Sequence, residues 1–240
     1  LKLVKEGNNF YINGEKETTC SFETYLKTYL AEHKDKNNTE LPIISGAIGY
    51  FSYEYGRKLM EVDSVKEDLV SIPDAVLVFY DFYIEDRHEQ RTYLIANGIT
   101  REAAKLLDEM ESRINGKPVY MQKESDTEYP IEVQPNFAKD EYKQAVDRMI
   151  RYIIEGDIYI TNMTQQLTVK SDKVPLDVFY DLRENNPSPF GGYFDYGDFQ
   201  IVCASPERFL KMQKGHVNTR PIKGTRKRGE TPEEDMFMRT

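Results

Sequence analysis

The chain has little of what builds disulfide frameworks or metal centres. Only two cysteines, Cys20 and Cys203, occur in 240 residues, too few for a cystine-stapled fold, so the default setting is a reducing cytoplasm. Both read as small apolar residues rather than nucleophiles. Three histidines, His33, His88 and His216, are too scattered to form a metal site. No apolar run approaches the roughly 18 residues of a membrane span, and no signal peptide opens the sequence. Internal repeats and low-complexity tracts are absent as well. Cations are outnumbered, 32 Lys plus Arg against 41 Asp plus Glu for a formal charge of −9, which argues against a nucleic-acid-binding surface.

With 39% hydrophobic residues, the composition is that of a globular protein with enough chain for one large domain or two small ones. Asn9 to Gly14 suggests a short strand and turn. Phe22, Tyr25, Leu26, Tyr29 and Leu30 recur at helical spacing, predicting a helix over 21–33. A Gly-punctuated apolar run at 43–55 predicts a buried strand, and further strands are expected at 74–85 and 91–97. Tyr50, Tyr53, Tyr55, Tyr80 and Tyr83 read as sheet packing, because no basic residues are interleaved as a nucleic-acid platform requires. A helix is expected from Thr100 to Asn115, stopped by Gly116-Lys117-Pro118. The acidic, proline-bearing stretch 123–136 reads as a linker between an N-terminal region, 1–122, and a second region, 137–240. In the latter we expect a helix over 139–155 ended by Gly156, a long strand over 157–169, a helix over 175–184 and a strand over 193–204. Runs of strand and helix in this order predict an α+β fold with mostly antiparallel sheets.

Near the end lies Thr219-Arg220-Pro221-Ile222-Lys223-Gly224-Thr225-Arg226-Lys227-Arg228-Gly229. The plain reading is a solvated basic loop. Pro221 and Gly224, however, hold Lys223 on a stiff segment of low bulk. The neighbouring cations disfavour its protonation, the direction that makes an amine nucleophilic. An unperturbed lysine carries a handicap of roughly 4–5 kcal/mol in that role at neutral pH. A phosphate loop does not fit, because no Gly-x-x-x-x-Gly-Lys precedes the lysine. The segment from Ala204 to Arg220 reads as a hairpin. A three-residue loop, Gln213-Lys214-Gly215, pairs Met212 with His216, puts Ser205 opposite Lys223 and makes Glu207 its diagonal neighbour, within about 7–8 Å. Glu207 could equally serve as an ion-pair partner of Arg208 or Arg220.

Ser205-Pro206-Glu207-Arg208-Phe209-Leu210 followed by Pro221-Ile222-Lys223-Gly224-Thr225 resembles the chorismate-utilising enzymes. The lysine form looks like component I of the aminodeoxychorismate (para-aminobenzoate) synthases, whereas the sister anthranilate synthases usually carry alanine there. The stretches Gly46 to Arg57, Gly156 to Gln166 and Asn186-Pro187-Ser188-Pro189-Phe190 agree with the same family. The resemblance implies a sandwich of large antiparallel β-sheets flanked by helices. It also implies amination of chorismate at C4 by ammonia from a glutaminase subunit, with magnesium required, giving 4-amino-4-deoxychorismate for folate synthesis. Lys223 then attacks C2, Glu207 is the acid for the departing hydroxyl, and Gly224, Thr225 and Ser205 bind substrate. An anthranilate synthase with an atypical lysine is the alternative, as is a non-catalytic tryptophan- or chorismate-binding fragment, since Pro189-Phe190-Gly191 matches part of a tryptophan pocket in several relatives. Relative to the family the chain begins late and stops before the Mg²⁺ and carboxylate-binding stretches. No metal ligands are therefore assigned within it, and the 240 residues alone are expected to be inactive.

Overall fold

A computed structural model of the chain describes residues 1–62, 69–87, 91–116, 132–222 and 229–237. It divides into two compact units, Leu1–Met121 and Gln122–Thr240.

Unit 1 is built on a five-stranded antiparallel sheet. Strands β1 (Lys2–Glu6), β2 (Asn9–Ile12), β3 (Glu15–Glu17), β4 (Ala47–Phe51) and β5 (Ala75–Phe79) lie in the order β3-β2-β1-β5-β4. Leu3 pairs with Ile12 on one side and Leu77 on the other. It is fully buried, and with Phe10, Phe22, Ala75, Leu77 and Phe79 it forms the core. Each large side chain removed from water there contributes about 1.5–3 kcal/mol. Helix α1 (Phe22–Glu32) lays its apolar stripe on this sheet. The Ser21 hydroxyl caps it by accepting the Thr24 N–H at 3.2 Å. Phe22 meets Phe10 and Tyr55 edge-on, with centroids 5.4 and 6.1 Å apart.

The run 43–55 is not one buried strand. β4 stops at Phe51, and Ser52 then caps a helix, α2 (Tyr53–Leu59), by accepting the Tyr55 N–H. Ser52 is the physical reason for the change, because a hydroxyl that takes up an orphan amide favours a helix start over strand continuation. Tyr53 is consequently 89% exposed, while Tyr55 turns inward. Burial and the neighbouring Glu23, which accepts its hydroxyl hydrogen bond, push the Tyr55 pKa up to about 12. Asp74, 6% exposed, accepts from the Gly7 N–H at 2.7 Å and from Lys58 Nζ at 2.7 Å, locking the start of β5 to the β1–β2 turn and to α2. The expected strand 74–85 is likewise two elements, β5 and β6 (Phe82–Arg87), and β6 pairs with β7 (Arg91–Ala96). Helix α3 (Ala103–Ile114) packs on β7.

Unit 2 contains β8 (Val133–Pro135), at the end of the expected linker, paired with β9 (Leu167–Val169). Helix α4 (Lys139–Glu155) ends at Gly156, whose φ of 85° is the left-handed cap anticipated from the sequence. The long strand expected over 157–169 is reduced to β9. Tyr159 and Ile160 are 94% and 79% exposed and have no ladder partner among the described residues, and a strand without a ladder does not form. Helix α5 (Pro175–Asn185) begins with its proline at the first turn and packs on β10 (Gly192–Asp195) and β11 (Gln200–Cys203), with the Phe179 and Tyr193 rings 6.0 Å apart. The expected strand 193–204 is thus a hairpin, because Asp195 accepts the Gly197 N–H at 2.9 Å and Gly197 has a φ of 94°. A second hairpin, β12 (Arg208–Gln213) with β13 (His216–Arg220), and helix α6 (Pro232–Phe237) complete the unit. Every pairing is antiparallel, and the α+β class anticipated from the sequence is the one observed.

Candidate active site

The β12–β13 hairpin carries the candidate chemistry. Its loop has two residues, not three. Gln213 pairs with His216 and Met212 with Val217, and Lys214 and Gly215 both have positive φ, 49° and 78°. This is the mirror-image turn that suits strand twist, with glycine at its second position. A bulge between Arg208 and Lys211 then takes up one extra residue on β12, so Arg208 pairs with Arg220. At the far end of the hairpin the bulge restores the alignment that the three-residue loop implied.

That end is tied down from several sides. Glu207 Oε1 accepts the N–H of Ile222 at 2.6 Å. The Thr219 hydroxyl donates to Arg208 O at 3.1 Å, and Arg208 Nη1 donates to Asn218 Oδ1 at 3.1 Å. Ser205 Oγ donates to Glu207 O at 3.2 Å, and Phe190 N–H donates to Ser205 O at 3.2 Å. The Arg208 guanidinium lies over the Phe190 ring, 5.0 Å from its centroid. Gly191 suits this crossing, since a Cβ would stand 3.0 Å from the Cys203 carbonyl oxygen, tighter than ordinary van der Waals contact. Glu207 is therefore a half-buried carboxylate fixed at the mouth of the Pro-Ile-Lys-Gly segment, bonded to the residue that precedes Lys223 in sequence. Lys223, Gly224 and Thr225 lie outside the described residues. The expected placement of Ser205 and Glu207 against Lys223 thus falls on a residue outside the described ones; the Arg208–Phe190 contact and the Ile222 amide are components that the sequence reading missed. An arginine and an aromatic residue eighteen positions apart carry no local signal for such a contact.

From Arg208 and Arg220 to its turn, the hairpin presents Arg208, Lys211, Lys214, His216 and Arg220 around a shallow cavity of ≈ 440 Å³, an electropositive surface suited to carboxylates. Among the described residues no group of three or more His, Cys, Asp or Glu side chains could hold a metal ion. The described residues thus present no set of ligands suited to magnesium. No helix among the described residues is long and apolar enough to cross a membrane.

The pattern of the chorismate binding enzyme family matches residues 5–240. The chain belongs to that family. It is 33% identical to aminodeoxychorismate synthase component 1 of Bacillus subtilis (strain 168), an alignment covering 98% of this chain and 50% of the relative. Anthranilate synthase component 1 of Acetivibrio thermocellus is 30% identical, over 97% of this chain and 49% of the relative. The crystal structure of anthranilate synthase component I from Streptococcus pneumoniae TIGR4 superposes with a TM-score of 0.76 at 24% identity, covering 90% of this chain and 50% of that one, a likeness of fold. The chain spans about half the length of the curated relatives it matches.

Proposed function

We propose that residues 1–240 are part of an enzyme that aminates chorismate at C4 to 4-amino-4-deoxychorismate, using ammonia from a glutaminase partner, in para-aminobenzoate and folate synthesis. The observation that carries this reading is the Glu207–Ile222 hydrogen bond, which fastens the Glu207 carboxyl group to the residue that precedes Lys223 in sequence. In the proposed reaction the neutral Lys223 amine forms a bond to C2 of the ring. Both ring double bonds shift, C1=C2 to C1=C6 and C5=C6 to C4=C5, and the C4–O bond breaks, with a proton from Glu207 converting the leaving hydroxyl to water. Ammonia then bonds to C4, both double bonds shift back, and the C2–N bond to Lys223 breaks, regenerating the amine. Two moderate displacements replace one difficult one. Ser205, Gly224 and Thr225 are assigned to substrate binding, and the cations of the hairpin to the two substrate carboxylates. Magnesium is proposed as a requirement of the complete enzyme, with its ligands outside residues 1–240.

A second reading, anthranilate formation, is favoured by the 30% identity to an anthranilate synthase component 1. Product analysis of the complete enzyme with chorismate, ammonia and magnesium separates the two. Amination at C4 with the enolpyruvyl group retained supports the proposal, whereas anthranilate with release of pyruvate overturns it.

A further inference from the structure

Two cations, Arg208 and Arg220, stand opposite one another where the β12–β13 ladder ends. Like charges directly across a sheet are unfavourable, so an arginine at position 208 calls for compensation from elsewhere. Its guanidinium lies over the Phe190 ring, 5.0 Å from the centroid, and its Nη1 donates to Asn218 Oδ1 at 3.1 Å. Its carbonyl accepts the Thr219 hydroxyl at 3.1 Å. Arg208 is also the one residue of the two strands that is not exposed. A cation held on a ring face and on a side-chain amide is fixed at both ends of its guanidinium plane, which makes it a rigid anchor for the backbone that carries it.

That backbone carries Glu207. On its C-terminal side Arg208 is gripped by Phe190 and Asn218; on its N-terminal side the Ser205 carbonyl accepts the Phe190 N–H at 3.2 Å, and Ser205 Oγ donates to the Glu207 carbonyl at 3.2 Å. Phe190 therefore holds the chain on both sides of the carboxylate, once through its amide and once through its ring. The bulge between Arg208 and Lys211 begins at the gripped residue, and bulges re-aim the side chains beside them. We propose that Arg208 and Phe190 are positioning residues, whose contact pins this bulge so that Glu207 stays at the Ile222 amide and aims its carboxyl group at the reacting atoms. This role rests on the acid function given to Glu207 above, and it takes Arg208 out of the set of cations offered to the substrate carboxylates.

The test uses the complete enzyme with ammonium as nitrogen source. Arg208→Met keeps the aliphatic stem and removes the guanidinium, and Phe190→Leu keeps apolar volume and removes the ring face. Each should lower kcat by about 10–100-fold, the effect of displacing a reacting group by about 1 Å. KM should move by no more than about threefold, and Phe190→Tyr, which retains the ring, should stay within about threefold of wild type in kcat. The same two substitutions are then made in a Glu207→Gln background. A residue that acts only through the carboxylic acid has nothing left to position there, so neither should lower the residual kcat by more than about twofold. Equal losses in both backgrounds would make the contact a support of the fold alone, and a rise in KM alone would make Arg208 a ligand of the substrate. Either result overturns the proposal, as does an unchanged kcat in Arg208→Met or Phe190→Leu beside a defective Glu207→Gln. If Glu207→Gln itself keeps the wild-type kcat, the acid reading fails first and the positioning role falls with it.

Discussion

Replacing Glu207 by glutamine separates the tether seen in the structure from the acid role proposed for the same side chain. Its carboxylate accepts the Ile222 N–H at 2.6 Å, a short charge-assisted bond of the kind that contributes about 1.5–3 kcal/mol. Glutamine keeps a carbonyl oxygen in the same place, so a neutral bond of about 0.5–1.5 kcal/mol survives and the tether weakens by roughly 1 kcal/mol. That is about a fivefold effect on how well the segment is held. The loss of the transferable proton is far larger, about 10²–10⁴-fold in kcat. In the complete enzyme, with ammonium as nitrogen source so that the glutaminase does not limit, Glu207→Gln should lower kcat by that factor and move KM by no more than about fivefold. Glu207→Ala also removes the tether, so its KM should rise further at a similarly low kcat. A glutamine variant that keeps kcat and changes only KM would refute the acid role, leaving Glu207 as a clamp on the Pro221-Ile222 strand end.

Three further outcomes are expected. Gly49→Ala drives a Cβ to 1.9 Å from the Val76 carbonyl oxygen inside the β4–β5 pair, an overpacking that costs about 1–3 kcal/mol. The denaturant midpoint of unit 1 should fall accordingly, and an unchanged midpoint would contradict the close approach. Burial raises the Asp81 pKa, but hydrogen bonds from the Thr100 hydroxyl and from the amides of Ile99 and Thr100 outweigh it and hold the group at about 2. Because this folded pKa is depressed, the stabilisation is complete above the unfolded value of about 4 and is lost as pH falls towards 2. Asp81→Asn should therefore remove part of the acid sensitivity between pH 4 and 2, and an identical acid limb in the variant would refute the assignment. Residues 1–240 alone should form no aminodeoxychorismate, a result that ammonia-dependent product from the isolated chain would overturn.

Much of the fold was legible where a signal is local. Gly156 marks a helix end through its own capping chemistry, and the stripe from Phe22 to Leu30 marks α1. The errors arose where two local signals compete or where a partner decides. Ser52 converts an apparent strand into α2, and Asp195 with Gly197 folds one expected strand into a hairpin. Tyr159 to Gln166 is rich in strand formers yet has no ladder among the described residues. The β12–β13 hairpin shows both limits at once. The Lys214-Gly215 turn was misjudged by one residue, and the bulge that corrects the register cannot be read from Phe209 and Leu210. The expected pairing of Ser205 with Lys223 lies outside the described residues, but the pairing of Arg208 with Arg220 has the parity that expectation requires. Glu207 reaches the Ile222 amide fifteen residues away, and that tie follows from the fold rather than from any spacing rule.

The central claim is that Lys223 is a nucleophile, and it is tested most directly by trapping the lysine on the substrate ring. Arginine keeps a positive charge but has no accessible neutral form, so Lys223→Arg and Lys223→Ala should be similarly defective in the complete enzyme. With chorismate present and ammonia withheld, intact mass spectrometry of the wild-type enzyme should reveal an adduct, and peptide mapping should locate it at Lys223. Absence of any adduct under quenched single-turnover conditions, or recovery of most of the rate by arginine, would contradict the claim and leave the lysine as an electrostatic anchor for the substrate carboxylates.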